Sequence, residues 1–313
     1  MSRHHEIWPE PQNVHWGFHS AELKPVLAIE SGDLVTLHTV TGSELDQPPP
    51  HTGLAIMPEQ QRVFSEVARG VGPHTLTGPI EVAGAEPGDS VAIEVLDMQL
   101  RADWGFTRIS PGRGSLPQEY PDERRLLITI DKQRRVVRMP WGTEIPAEPF
   151  FGVIGTAPPP EWGSLTSVIP RAFGGNLDVK EIRPGAVLHL PVFVPGALIS
   201  VGDGHAAQGN GEVCVTAVES ALSGTFRITL NKGVAPDQPW IDSPTHLIAL
   251  GLHEDLDEAA LMALRALIRL VCERTSLEPA DAYMLCSVAA DFHISQMVNV
   301  NKGVHAMLAK QFL

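Results

Sequence analysis

Cysteine is scarce in this chain: Cys214, Cys272 and Cys286 are its only three in 313 residues. An odd number with no Cys-x-x-Cys spacing excludes a disulfide framework and a structural zinc knot. Each stands in apolar surroundings and reads as a small buried side chain, with Cys214, two residues after Glu212, held in reserve as a nucleophile. Basic clusters are missing too. Lys and Arg number 23 against 37 Asp and Glu, a net charge of −14, so the chain lacks the footprint that nucleic acid or an anionic membrane requires. Small neutral partners are expected instead. No apolar run approaches the roughly 20 residues needed to span a bilayer. The opening "MSRHHEIWPEPQ" lacks the apolar centre of a signal peptide, so a cytoplasmic protein is expected. Familiar catalytic signatures are also wanting: there is no GxSxG elbow, no HExxH, no Walker loop and no GxGxxG between strand and helix.

Glycine and proline, by contrast, are plentiful at 28 and 27, which favours short strands joined by turns. One pattern recurs in "PVLAIESGDLVTLHT" (25–39), "GPIEVAGAEPGDSVAIEVLDM" (78–98) and "DVKEIRPGAVLHLPVFV" (178–194): two β-branched runs separated by a Pro/Ser-Gly turn. Further strands are predicted at 126–130, 135–138, 212–219 and 225–231. Without helical periods between them, these strands predict a β-sandwich or barrel-like core rather than a parallel βαβ sheet. After residue 250 the pattern changes. "EDLDEAALMALRALIRLVCERT" (254–275) carries apolar residues at helical spacing, acids at its start and arginine towards its end. A second helix is predicted from Pro279 through "PADAYMLCSVAADF". The expectation is a single unit over 1–313, mainly β over 14–250, with a helical, α+β C-terminal portion over 254–307.

The chemistry concentrates in "SVGDGHAAQGNGEVCVTAVE" (200–219), where Asp203, His205, Glu212 and Glu219 surround small turn-forming residues. "GDGHAAQGNG" superficially suggests a phosphate loop, but it opens a strand and lacks the Lys and Ser/Thr of that motif. Asp203 and His205 are spaced i, i+2, so an extended segment points both to one face. Glu212 is expected to open the return strand of a hairpin and so to lie opposite them. A carboxylate, an imidazole and a second carboxylate on one rigid face suit a divalent cation; a polar hairpin loop is the plain alternative. Elsewhere, "GGNLD" (174–178) places Asn176 and Asp178 after two glycines. "GPHTLTGPIEV" holds His74 stiffly before a strand.

The segments "VFVPGALISVGDGHAAQGNGEVCVTAVE", "LTGPIEVAGAEPGDSVAIEVLD", "PFFGVIGTAPPP", "GGNLD" and "DAYMLCSVAADFHISQMVN" together resemble the acetamidase/formamidase family of small-amide hydrolases, over about residues 14–307. Two departures stand out: Asn210 occupies a position where many members carry Asp, and His38-Thr39 replaces a common Glu-Thr. The resemblance implies a mostly β fold with an α+β portion, and hydrolysis of a linear C–N bond outside peptides to ammonia and a carboxylate. It also implies a metal-dependent site. The expected metal ligands are Asp203, His205, His74 and Asp178. Glu212 is expected as general base, and Asn176 as a hydrogen-bonding partner of the amide. Zinc is the first choice of metal, with manganese or calcium as alternatives. A cyclic-amide or imide hydrolase, and a non-catalytic metal- or sugar-binding β module, are the competing functions. Exposed strand edges add the expectation of a homo-oligomer.

Overall fold

The computed structural model describes residues 2–313. Short strands dominate, as the turn-rich composition requires, and most belong to two sheets of nine and eleven strands. The nine-stranded sheet is built around the long antiparallel pair Ser90–Leu100 and Leu222–Asn231. The eleven-stranded sheet runs through Trp104–Ile109, Val218–Glu219, Ile199–Ala207, Phe150–Gly155 and Gly174–Asn176 as successive neighbours. The two sheets face one another. Their shared core takes Val35, Leu37, Ile93 and Phe226 from the first, and Ile80, Phe151, Ile154 and Val201 from the second. Removal of this apolar surface from water is the main force holding the sheets together. The architecture is therefore a β-rich α+β sandwich; among the described residues neither sheet closes into a barrel.

Among the described residues three α-helices accompany the sheets: α1 (Pro58–Glu66), α2 (Leu256–Arg274) and α3 (Pro279–Ala289). The Asp255 carboxylate caps α2 by accepting from the backbone N–H groups of Asp257 and Glu258. Ala259, Ala263, Ala266, Leu267, Leu270 and Val271 form the buried stripe of α2. That stripe packs on Leu247 and Ala249 of the His246–His253 strand and on Ala306 and Leu308 of the Lys302–Ala309 strand. No helix is long and apolar enough to cross a membrane among the described residues.

Two local expectations are corrected. The segment 212–219 is not a strand throughout: only Val218–Glu219 pairs, and 208–217 is a loop. The predicted helical stretch 254–307 holds α2 and α3 but then turns into the strands Ala290–Gln296 and Lys302–Ala309. At the N-terminus, His4 and His5 lie in the strand His4–Ile7, parallel to Leu34–His38, where His5 Nε2 stands 3.0 Å from Asp33 Oδ2.

Candidate metal and catalytic site

The site forms where four neighbouring strands of the larger sheet leave room for side chains on one face. Ile199–Ala207 carries Asp203 and His205, and it is clasped tightly on both sides. A Cβ at Gly202 would collide with the carbonyl of Thr75, and one at Gly204 with that of Ser220, so glycine is required at both. Opposite His205 stand Phe150 on one side and Glu219 on the other. The Asp203 backbone lies in the left-handed region at φ 58°, and its Oδ2 is 3.3 Å from His205 Nε2. The two side chains therefore converge as i, i+2 spacing predicts, although the backbone between them is not regular.

Asp178 arrives from the turn after Gly174–Asn176. The N–H groups of Leu177 and Asp178 both donate to the carbonyl of Gly152, which presses Asp178 against the middle of Phe150–Gly155. Gly152 is the floor of the site. A Cβ built there would lie 2.5 Å from Asp178 Oδ1, 2.6 Å from Asp203 Oδ2 and 2.7 Å from His205 Cε1. Only a residue without a side chain leaves that space open.

Glu212 reaches the site by a route that differs from the hairpin expected of it. It sits in the 208–217 loop with φ 42°, directly after Gly211, and is 6% exposed. The strand residue facing His205 is instead Glu219, whose Oε2 is 3.4 Å from His205 Nε2. Glu219 belongs to the same 200–219 segment, yet a short hairpin would have given its place to Glu212. The ten-residue loop reverses the two.

Two groups result: Asp178, Asp203 and His205, and His205, Glu212 and Glu219, in each of which one donor atom per residue lies within 4.8 Å of the others. His74 belongs to neither. Its Nδ1 stands 2.9 Å from Ser167 Oγ, and its Nε2 lies 3.8 Å from Asp203 Oδ2, at the edge of the set. Asn176 donates from Nδ2 to the carbonyl of Val168. Above the site opens a cavity of about 530 Å³, lined among others by His74, Asn176, Asp203, Glu212, Glu219 and Asn299. Cys214 faces a separate apolar cavity, and its thiol contacts Thr107 and Thr216 rather than an imidazole, which removes the nucleophile held in reserve.

Crowding four carboxyl groups into one buried volume sets their proton affinities. Burial pushes Asp178 up to about 8, with Asp203 and Glu219 adding repulsion against the pull of His205. Burial likewise raises Glu219 to about 7, against the attraction of His205. Glu212 is driven well above the ordinary carboxylate range by burial and then by Asp178. Asp203 goes the other way: burial would raise it, but His74 and His205 together outweigh burial and keep it ionised. His205 is raised well above an ordinary histidine because Glu219 and Asp203 overcome its burial, whereas burial lowers His74.

These residues fit a divalent cation. Both ring nitrogens of His205 and Oδ1 of Asp178 are buried without a hydrogen-bond partner, which is costly unless a further group completes them. Oxygen donors with one imidazole suit zinc or manganese. Bound charge of +2 would also reverse the proton affinities just described, by making the ionised carboxylates the favoured form.

Comparison with known proteins identifies the family. The acetamidase/formamidase family matches residues 2–166 and 163–310. The acetamidase of Bacillus halodurans has 32% identity and a TM-score of 0.82, with 98% of each chain covered. The acetamidase of Yersinia enterocolitica has 30% identity and a TM-score of 0.85, covering 98% of this chain and 92% of that one. The acetamidase of Mycolicibacterium smegmatis is 29% identical over 198 residues, covering 45% of this chain and 49% of its own length. The chain spans about half the length of the curated relatives it matches. With the family matched along nearly its whole length and the fold shared end to end, the chain belongs to the acetamidase/formamidase family.

Proposed function

We propose that this protein hydrolyses the C–N bond of a small linear amide, of the formamide and acetamide class, to ammonia and a carboxylate. The observation that carries this reading is the convergence of Asp178, Asp203, His205, Glu212 and Glu219, with unpartnered donor atoms, at the base of a 530 Å³ cavity. The acetamidases among its relatives support the substrate class.

An amide is a weak electrophile and water at neutral pH a weak nucleophile, so both need activation. A divalent cation, when bound in the site, would supply that activation by acidifying a water and polarising a carbonyl. Asp178, Asp203 and His205 would hold it, with Glu219 closing the set from the facing strand and His74 bordering it. Zinc is the metal this donor set favours in our reading, with manganese next.

Glu212 lines the cavity, and with the cation's charge favouring its ionised form it would take a proton from the attacking water and return it to the departing nitrogen. In balance, one water adds to the carbonyl carbon, the C–N bond breaks, and the nitrogen leaves as ammonia. Asn176 offers a buried, unpartnered Oδ1 on the cavity wall for an amide NH₂. Glu212→Gln tests this assignment. It should keep the metal and lose about 10²- to 10⁴-fold in ammonia release, the usual weight of a general acid–base group. Wild-type turnover would remove Glu212 from that role, and loss of metal would make it a ligand instead.

Two further properties accompany the reading. The unpaired state of all three cysteines supports a reducing, cytoplasmic setting. The apolar outer face of α3, where Tyr283, Met284 and Val288 are exposed, supports self-association into a homo-oligomer.

A further inference from the structure

The segment 295–301 plays no part in the chemistry described so far, yet it ties together two site carboxylates that come from distant parts of the chain. At its centre is Gln296, fully buried. Its Oε1 accepts from the backbone N–H groups of Val298 and Asn299, each at 3.0 Å, and its Nε2 donates to the carbonyl of Asn301 at 2.7 Å. One side chain thus satisfies three backbone groups of a tight loop whose next residue, Val300, lies at φ 63°. A buried amide used so fully fixes the conformation of the loop around it.

That conformation delivers Asn299. Its side chain is 3% exposed, and its Nδ2 donates to Oδ2 of Asp178. The other oxygen of Asp178, Oδ1, is left unpartnered and is the atom that faces the space above Gly152. The carboxylate therefore has one oxygen engaged and one presented.

The same segment also reaches the second carboxylate. The N–H of Gly211 donates to the carbonyl of Ser295 at 3.0 Å, and the N–H of Met297 donates to the carbonyl of Gly211 at 3.1 Å. Glu212 follows immediately on this clip. Gln208 adds a third tie by donating from Nε2 to the carbonyls of both Asp178 and Ser295.

We propose that Asn299 and Gln296 are positioning residues of the site: Asn299 orients Asp178 directly, and Gln296 acts through Asn299 by fixing the loop that carries it. This inference rests on the metal-site reading above. Outer hydrogen-bond partners of metal ligands are known to set ligand orientation, and their removal typically costs about 10- to 100-fold in metal affinity or activity.

The test uses the full chain. Metal-free protein is titrated calorimetrically with Zn²⁺ and with Mn²⁺, and kcat and KM for formamide and acetamide are measured on the loaded protein. Asn299→Ala should weaken metal binding by about 10- to 100-fold, or lower kcat by that factor with KM little changed. Gln296→Met should give a smaller loss in the same quantity. The double variant should be no worse than Asn299→Ala, because one residue acts through the other.

A folded Asn299→Ala protein with wild-type affinity and kcat would overturn the proposal, as would losses that multiply in the double variant. If Asn299→Ala does not fold, Asn299→Ser, which is too short to reach Asp178, gives the same reading. Should chelation leave wild-type hydrolysis intact, the metal reading fails on its own control. Asn299 is then judged on kcat alone: a loss supports the positioning role and a retained value overturns it.

Discussion

At the scale of single residues, the site depends as much on an absent side chain as on those present. Gly152 leaves open the space onto which Asp178, Asp203 and His205 converge. Gly152→Ala would place a methyl group among the donor atoms, so metal affinity should fall by at least about tenfold, comparable to the loss of an outer partner. Overpacking should also lower stability by about 1–3 kcal/mol. Metal titration and a urea midpoint on the same preparation check both; unchanged affinity would contradict the geometry. Asp203 and His205 were legible from sequence because their spacing and flanking glycines constrain them locally. Asp178 and Asn176 could be named from their motif, since two glycines and a turn set them apart. Glu219 could be named in the same stretch, but its place opposite His205 could not be read, because it depends on how many residues the loop 208–217 consumes, a quantity that alternation alone does not reveal. Asn299 lies 121 positions from Asp178, and nothing local announces that the two meet.

At the scale of elements, α2 was legible for the reasons that make it stable: acids at its start, an apolar stripe, and Asp255 as cap. The cap's hydrogen bonds run to His253, Asp257 and Glu258 and to no site residue, so Asp255→Ala should remove about 1 kcal/mol of stability and leave kcat unchanged. Urea denaturation alongside ammonia release measures both; a fall in kcat at full folding would show a coupling of α2 to the site that the structure does not contain. The strands Ala290–Gln296 and Lys302–Ala309 were hidden by continuity. α3 runs into the first of them with no glycine or proline between, and its apolar residues are not confined to one face, so the change of period is short and weakly marked. Tertiary pairing with His246–His253 decides the matter, and that pairing is remote in sequence.

At the scale of the whole molecule, the buried acids couple stability to pH and to metal. In metal-free protein Asp178 and Glu219 hold their protons up to about 8 and about 7, above the ordinary carboxylate values near 4 that the unfolded chain shows. Between those limits the native state binds more protons. Their contribution to stability is therefore full below about pH 4 and is lost as pH rises through about 7 to 8. Metal binding needs the ionised forms, so it strengthens over the same range. The thermal midpoint of loaded protein minus that of chelated protein should grow between about pH 5 and pH 8. A flat difference would contradict the placement of a cation among these acids. Self-association is checked separately: the exposed Tyr283, Met284 and Val288 predict an oligomer in light scattering that Val288→Asp weakens.

On the proposed reading, the buried carboxylate and histidine site cleaves small amides with the help of a divalent cation. Ammonia release from formamide and acetamide, measured before chelation, after it, and after adding back Zn²⁺ or Mn²⁺, is the decisive experiment. Release that chelation abolishes and metal restores is the predicted result. Release that survives complete removal of metal, or no release from either amide by the loaded protein, would contradict it.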